Sequence, residues 1–347
     1  MSEKKMSAKA VQNICGKLCL PLFIIIIICI LIAVLTAENS QSVTQAVNES
    51  SFTTDEAVCE TTKTVAAVTE AETGTLSETA FAYAKKDDIP APYCGLYEAD
   101  TLTAIYEKEA QTKIHPASLT KILTAITALS YVPSDTVFTV GSEQELVPAR
   151  SSLCLIKKGH KLTLYQLISG MLIASGGDAA YTIAVNIARF AMGTADVSDK
   201  EALSYFVGLM NSIAETAGAQ SSNFINPDGF DCDGQYTTVR DLALIGRYAM
   251  HFKEISEIVG CAVKYVVFRS GENVTWKNSN QLLHSDSPYY YPNAIGMKTG
   301  TTALAGKCLM AVAEIEGKTY IAVVSGCSSE ESRYSSALSL FEIIAPI

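Results

Sequence analysis

Ser118-Leu119-Thr120-Lys121 opens an apolar helical stretch, and Lys298-Thr299-Gly300 follows far downstream, just ahead of strand-like sequence. This pair constrains the fold, because a serine beside one lysine and facing another requires a helix start packed against a strand edge. Pro116 disfavours helix at His115 and suits a helix start, which puts Ser118 in the first turn. Leu119, Ile122, Leu123, Ile126 and Leu129 then recur as a helical stripe. Residues three apart share a helix face, so the Lys121 amine is expected beside the Ser118 hydroxyl.

A serine hydroxyl is a poor nucleophile until a neighbouring base takes its proton. Lys121 can be that base only if burial and a second cation lower its pKa, and Lys298 is the obvious second cation. The free N–H groups and positive end of the helix N-terminus favour charge developing on an oxyanion. The bland alternative is a solvated helix lysine behind a serine cap.

Four ordered blocks widen the signal. His115-Pro116-Ala117-Ser118-Leu119-Thr120-Lys121 is followed by Ser175-Gly176-Gly177-Asp178-Ala179-Ala180. Next come Phe224-Ile225-Asn226-Pro227-Asp228-Gly229-Phe230 with Tyr236-Thr237-Thr238, then Gly296-Met297-Lys298-Thr299-Gly300-Thr301-Thr302 with Ala305-Gly306. From about Pro90 to its end the sequence resembles the serine-type D-alanyl-D-alanine carboxypeptidases, the low-molecular-mass penicillin-binding proteins.

That resemblance implies acyl transfer. Ser118 would be the nucleophile and acyl-ester carrier, Lys121 the general base and Ser175 the proton relay to the departing D-alanine. Lys298, Thr299 and Thr301 would hold the terminal carboxylate, with Arg333 either supporting it or serving as a surface arginine. The backbone N–H groups of Ser118 and Thr301 would form the oxyanion hole. Asn278 and Asn280 are expected to fix loop geometry. The implied partners are peptidoglycan stem pentapeptides, with β-lactam antibiotics as inhibitors and no cofactor.

The middle block departs from the pattern. The family usually has asparagine where this chain has Gly177, a substrate-binding position left without a side chain. Losing one such polar contact costs about 10- to 1000-fold in turnover, so Gly177→Asn is expected to raise turnover. Asp178 is read as the N-cap of a helix from Ala179. Three rival readings share the motifs. A β-lactamase needs an added deacylating base, and no E-x-x-L-N stretch lies between Gly177 and Lys298. A D,D-endopeptidase is barely separable by sequence, and a catalytically weak wall scaffold rests entirely on Gly177.

Composition agrees. A net charge of −10 and the absence of a basic block beyond the N-terminus argue against nucleic acid. His115, His160, His251 and His284 show no paired spacing, and the ten cysteines include no C-x-x-C pair, so no metal site is indicated.

The expected architecture is α/β (α+β), like the β-lactamase and transpeptidase fold: an antiparallel sheet flanked by helices, with an all-helical subdomain. Strands are read at 94–98 and 104–107, helices at 118–131, 163–174, 178–191, 201–217 and 238–250. Strands at 308–315 and 319–326 flank a Glu316-Gly317-Lys318 turn, and a helix at 335–344 closes the chain. Ser118 would lie between sheet and helical subdomain, with Lys298 on the facing edge strand. The resemblance also implies that a carboxyl-terminal β domain and amphipathic tail are lacking.

Residues 1–37 read as a cytoplasmic N-terminus and transmembrane anchor. Lys4, Lys5, Lys9 and Lys17 precede an apolar run from Leu18 to Ala37, long enough to span a bilayer and oriented by those lysines. A cleaved signal peptide is the competing reading, against which Leu35-Thr36-Ala37 is a poor cleavage site. Residues 38–88, dense in Ser, Thr and acids, read as a disordered stalk with an r.m.s. span of about 40 Å. Residues 89–347 form the catalytic domain. Seven cysteines lie beyond the anchor, an odd number for a disulfide framework. The native protein should therefore fractionate with membranes, and deleting residues 1–37 should release a soluble, penicillin-reactive protein. A mature N-terminus near Glu38 would instead show cleavage.

Overall fold

The structure, a computed structural model, describes residues 89–345. The expected anchor and stalk lie outside the described residues, and among the described residues no helix is long and apolar enough to cross a membrane. The chain enters through β1 (Tyr93–Glu98) and β2 (Ala104–Lys108), a hairpin. A 3₁₀ turn at Ala117–Leu119 then leads into α1 (Thr120–Leu129). The short strands β3 (Val137–Thr139) and β4 (Lys161–Thr163) pair with each other, and the helical body follows. It comprises α2 (Leu164–Ile173), α3 (Gly177–Met192), α4 (Asp199–Thr216), α5 (Val239–Ala249) and α6 (Lys253–Val259). The chain returns through the hairpin β5 (Val263–Val267) and β6 (Asn273–Lys277), then β7 (Ala294–Thr302), β8 (Gly306–Ile315), β9 (Lys318–Cys327) and α7 (Glu330–Glu342).

The first and last strands make one antiparallel sheet, ordered β2-β1-β9-β8-β7, so the helices are an insertion between its halves. Its central strands are buried on both faces, which explains their nearly unbroken apolar sequence. Along β8 and β9, Leu309, Ala311, Ala322 and Val324 pack toward α7, where Tyr334, Ala337, Leu340 and Phe341 are fully buried. The alternate residues Cys308, Met310, Ile321 and Val323 face the helical body. The period of two thus splits one sequence run between two cores. On the helical side α1 is buried from Thr120 to Ala128, as expected for an apolar and small-residue helix at the centre of a bundle. Two of its three hydroxyls are satisfied inside: Thr124 donates to the Pro227 carbonyl (2.7 Å) and Thr127 to that of Leu123 (2.8 Å).

Helix starts follow from local sequence. Thr163 with Gln166 and Ser198 with Glu201 form reciprocal capping boxes, each satisfying otherwise orphaned N–H groups. Ser329 with Ser332 does the same for α7, so this helix begins five residues before the expected Ser335. Two expectations fail. Asp178 does not cap α3, which starts at Gly177 with Gly176 as an N-cap that makes no side-chain bond. Lys298-Thr299-Gly300 lies inside β7 rather than ahead of a strand, although β7 is the edge strand on which Lys298 was expected.

Thr163→Ala should cost about 1 kcal/mol by losing a cap, whereas Phe341→Ala, emptying the core beneath the sheet, should cost about 3–5 kcal/mol. Urea denaturation of both variants measures the difference.

Candidate active site

Ser118 occupies the 3₁₀ turn that precedes α1, so the i,i+3 geometry with Lys121 survives although the α-helix proper begins at Thr120. Ala117, just before the serine, sits in the left-handed region (φ 47°), a conformation an alanine holds only under constraint from its surroundings. Two glycines supply that constraint by allowing close approach. A Cβ on Gly300 would lie 2.9 Å from Ala117 Cβ and 3.2 Å from the Ser118 backbone nitrogen. On Gly229, itself at φ +81°, it would lie 1.7 Å from the Ala117 carbonyl oxygen. The serine turn is wedged between β7 and the 226–231 loop.

Lys121 is 1% exposed, and its Nζ donates to Ser118 Oγ (3.0 Å) and to the Asp228 carbonyl (2.6 Å). Burial pulls this lysine below its ordinary range, while the negative charges of Asp228 and Asp178 oppose the shift. Lys298 is equally buried, and burial first, then the charges of Lys121 and Arg333, hold it well below the ordinary lysine range. Of the two expected causes, burial and a second cation, burial is the larger for both lysines.

A cleft of about 410 Å³ opens over Ser118 and Lys121, walled by Arg150, Ser151, Ser152, Asp228 and Thr301 among others. Thr301 presents an exposed side chain at the end of β7. Lys298 and Thr299 are not on that wall. Lys298 Nζ donates to its neighbour's carbonyl at Thr299 (3.0 Å), and the Thr299 hydroxyl sits 2.5 Å from that of Ser279. Asn278 and Asn280 brace this loop: Asn278 donates to the Cys261 carbonyl (2.9 Å), and each amide oxygen accepts a backbone N–H two residues on.

Arg333 is not a surface arginine. It lies in the first turn of α7, 4% exposed, with Nη1 3.4 Å from both the Gly300 carbonyl and Thr301 Oγ1, and with Glu330 paired to Nη2. Ser175 lies in the bend between α2 and α3, nearly buried at φ 61°. Lys121 directs its hydrogen bonds to Ser118 and Asp228 rather than to Ser175.

Asp178 braces rather than caps. Its carboxylate accepts the backbone N–H groups of Cys154 (2.9 Å) and Ile156 (3.1 Å), tying down the loop that carries Ser151 and Ser152. Gly177 meets the same loop, donating to the Ser152 carbonyl (2.7 Å). A Cβ on Gly177 would stand 2.9 Å from Ser151 Cβ and 3.0 Å from Asp228 Oδ2. An asparagine at this position would have to displace the Ser151 and Asp228 side chains, so the site as folded offers no ready space for the side chain on which the expected gain from Gly177→Asn depends. Arg150, Ser151, Ser152, Asp228 and Asp231 of the cleft escaped the sequence reading as site residues. The N-P-x-G block pointed to the loop of the last two, and nothing local marked the other three. Five cysteines, Cys94, Cys154, Cys232, Cys308 and Cys327, are free thiols.

A serine turn and a buried lysine pair, set where the edge strand of the sheet meets the inserted helical body, define a serine–lysine site. The sequence matches the D-alanyl-D-alanine carboxypeptidase family over residues 79–329, and the chain belongs to that family. It is 29% identical to the D-alanyl-D-alanine carboxypeptidase DacF of Bacillus subtilis, over 69% of this chain and 58% of that protein. Against the D-alanyl-D-alanine carboxypeptidase of Streptomyces sp. strain K15 it is 32% identical, over 76% of this chain and 90% of that protein. The crystal structure of the Streptomyces K15 DD-transpeptidase superposes with a TM-score of 0.66 at 31% identity, covering 74% of this chain and 97% of that one. The chain thus spans under two thirds of the length of DacF.

The wedge of the serine turn yields a test. Gly229→Ala and Gly234→Ala both place alanine at φ +81°, but nothing lies within 4 Å of the Gly234 position. Gly234→Ala should cost about 1 kcal/mol of left-handed strain. Gly229→Ala should cost well beyond that, read as a far larger drop in melting temperature.

Proposed function

We propose that this chain is a penicillin-binding serine carboxypeptidase that removes the terminal D-alanine from peptidoglycan stem peptides through an acyl-enzyme on Ser118. The observation that carries this reading is the 3.0 Å contact between Ser118 Oγ and a lysine amine that burial drives toward its neutral form. Lys121 takes the serine proton as Oγ attacks the carbonyl between the last two D-alanines, and the backbone N–H groups of Ser118 and Thr301 receive the oxyanion. The close approach of Gly300 to the Ser118 nitrogen supports that pairing. Ser175 delivers a proton to the departing amine, and water then releases the acyl group.

The carboxylate of the leaving D-alanine docks against Thr301, whose hydroxyl faces the cleft with the Arg333 guanidinium behind it. Lys298 and Thr299 act from beneath the wall, where the Lys298 amine, held by the Thr299 carbonyl, and the Thr299 hydroxyl, held by Ser279, support the edge strand that carries Thr301. A β-lactam presents the same carbonyl and carboxylate and acylates the same serine. The apolar run 18–37 holds the enzyme at the membrane and the 38–88 stalk carries the catalytic domain outward, with the extracytoplasmic side set by the N-terminal lysines.

A labelled penicillin should form a covalent adduct on Ser118, seen by peptide mass spectrometry. The adduct should vanish in Ser118→Ala and fall at least about 100-fold in rate in Lys121→Ala. The wild type should release D-alanine from a pentapeptide. Full labelling of Ser118→Ala would remove the nucleophile assignment, and hydrolysis of a cross-linked dimer faster than of the pentapeptide would make the enzyme an endopeptidase.

A further inference from the structure

The side chain missing at Gly177 has left a buried polar space, and another residue fills it. Asp228 is 2% exposed, and its Oδ2 accepts the Ser151 hydroxyl at 2.6 Å and stands 3.0 Å from where a Gly177 Cβ would be. Oδ1 accepts the Phe230 backbone N–H at 3.1 Å, so the carboxylate is held on both oxygens. The same residue's carbonyl takes the 2.6 Å bond from Lys121 Nζ. Asp228 thus reaches Lys121 through its backbone and the Gly177 gap through its side chain.

We propose that Asp228 is the positioning residue for Lys121 in this chain, its carboxylate occupying with Ser151 the place of the middle-motif side chain that Gly177 lacks. The proposal rests on the serine–lysine reading above and goes beyond it. A carboxylate accepts hydrogen bonds but cannot donate. The lysine keeps its direct anchor in the Asp228 backbone carbonyl, while the carboxylate fills the gap and bears on the lysine by its charge, giving up the donor that an amide would offer to substrate.

The proposal carries a pH consequence. The charged or titratable groups bearing on Lys121 are Asp228 and Cys154 from the flanking loops, Asp178 from α3 and Lys298 from β7. Arg333 of α7 bears on Lys298, and the Tyr181 hydroxyl of α3 feels the Asp228 charge. After burial, Asp228 is the largest influence on Lys121, and it raises the lysine pKa. Removing that charge lowers the pKa, so the free amine persists to lower pH.

The test is the pH profile of labelled-penicillin acylation of the full-length protein. Asp228→Asn keeps the shape and the Ser151 contact, and should move the acid limb down by about one pH unit. Gly177→Asn alone, colliding with Ser151 and Asp228, should slow acylation about tenfold or more. Adding Asp228→Ala, which also frees Ser151 from its hydrogen bond, should recover most of that loss. A merely structural Asp228 would lower the whole profile without moving its limb and would give no rescue. An unmoved acid limb together with a Gly177→Asn variant as fast as wild type would overturn the proposal. Wild type that never acylates on Ser118 would remove the serine–lysine reading itself, a distinguishable outcome. Melting temperatures of each variant separate misfolding from lost positioning, and Asp228→Asn, the isosteric change, carries the decision if the double variant does not fold.

Discussion

Everything about this site turns on burying a lysine. A fully desolvated ammonium is costly unless it is paired, and Lys121 is buried beside Lys298, a like charge that cannot pair with it. The cheaper state is a neutral amine, which is also the state that can accept a proton from serine. Asp228 and Asp178 temper the shift without reversing it. The hydrogen bonds to Ser118 and to the Asp228 carbonyl fix where the nitrogen sits.

The fold exists around that burial. Helices inserted between the halves of an antiparallel sheet give one interface on which a helix start and an edge strand meet. Residues in β7 reach it from one side, and the 226–231 loop from the other. Glycines at 300 and 229 let both backbones close on the Ala117–Ser118 turn. The left-handed Ala117 is held by this convergence, a local cost accepted at the reacting centre and supported by the two cores on either face of the sheet.

Against the family pattern, the chain has altered its middle motif and kept its polar geometry by a different route. Gly177 is not an empty position, because Ser151 and Asp228 have closed over it. Arg333 shows the same interplay of loop and helix. The Ser329–Ser332 capping box starts α7 early enough to drop the guanidinium behind Thr301.

Much of this was legible in the sequence because it is local. Helical patterns placed α1 to α5, and β8 and β9 announced themselves as apolar runs around Glu316-Gly317. The β5–β6 hairpin was missed although its signal, β-branched runs around Ser270-Gly271, was present. The seven-residue α6 carries too little periodicity to read. The Ser118–Lys121 pair was legible because i,i+3 adjacency follows from helix geometry alone. What only the tertiary structure decided was long-range: which charges face Lys121, that Lys298 and Thr299 lie beneath the cleft wall, and that Asp228 fills the gap at Gly177. Those facts depend on chain segments far apart in sequence meeting at fixed distances, and no local pattern of residues encodes which buried carboxylate ends beside which buried amine.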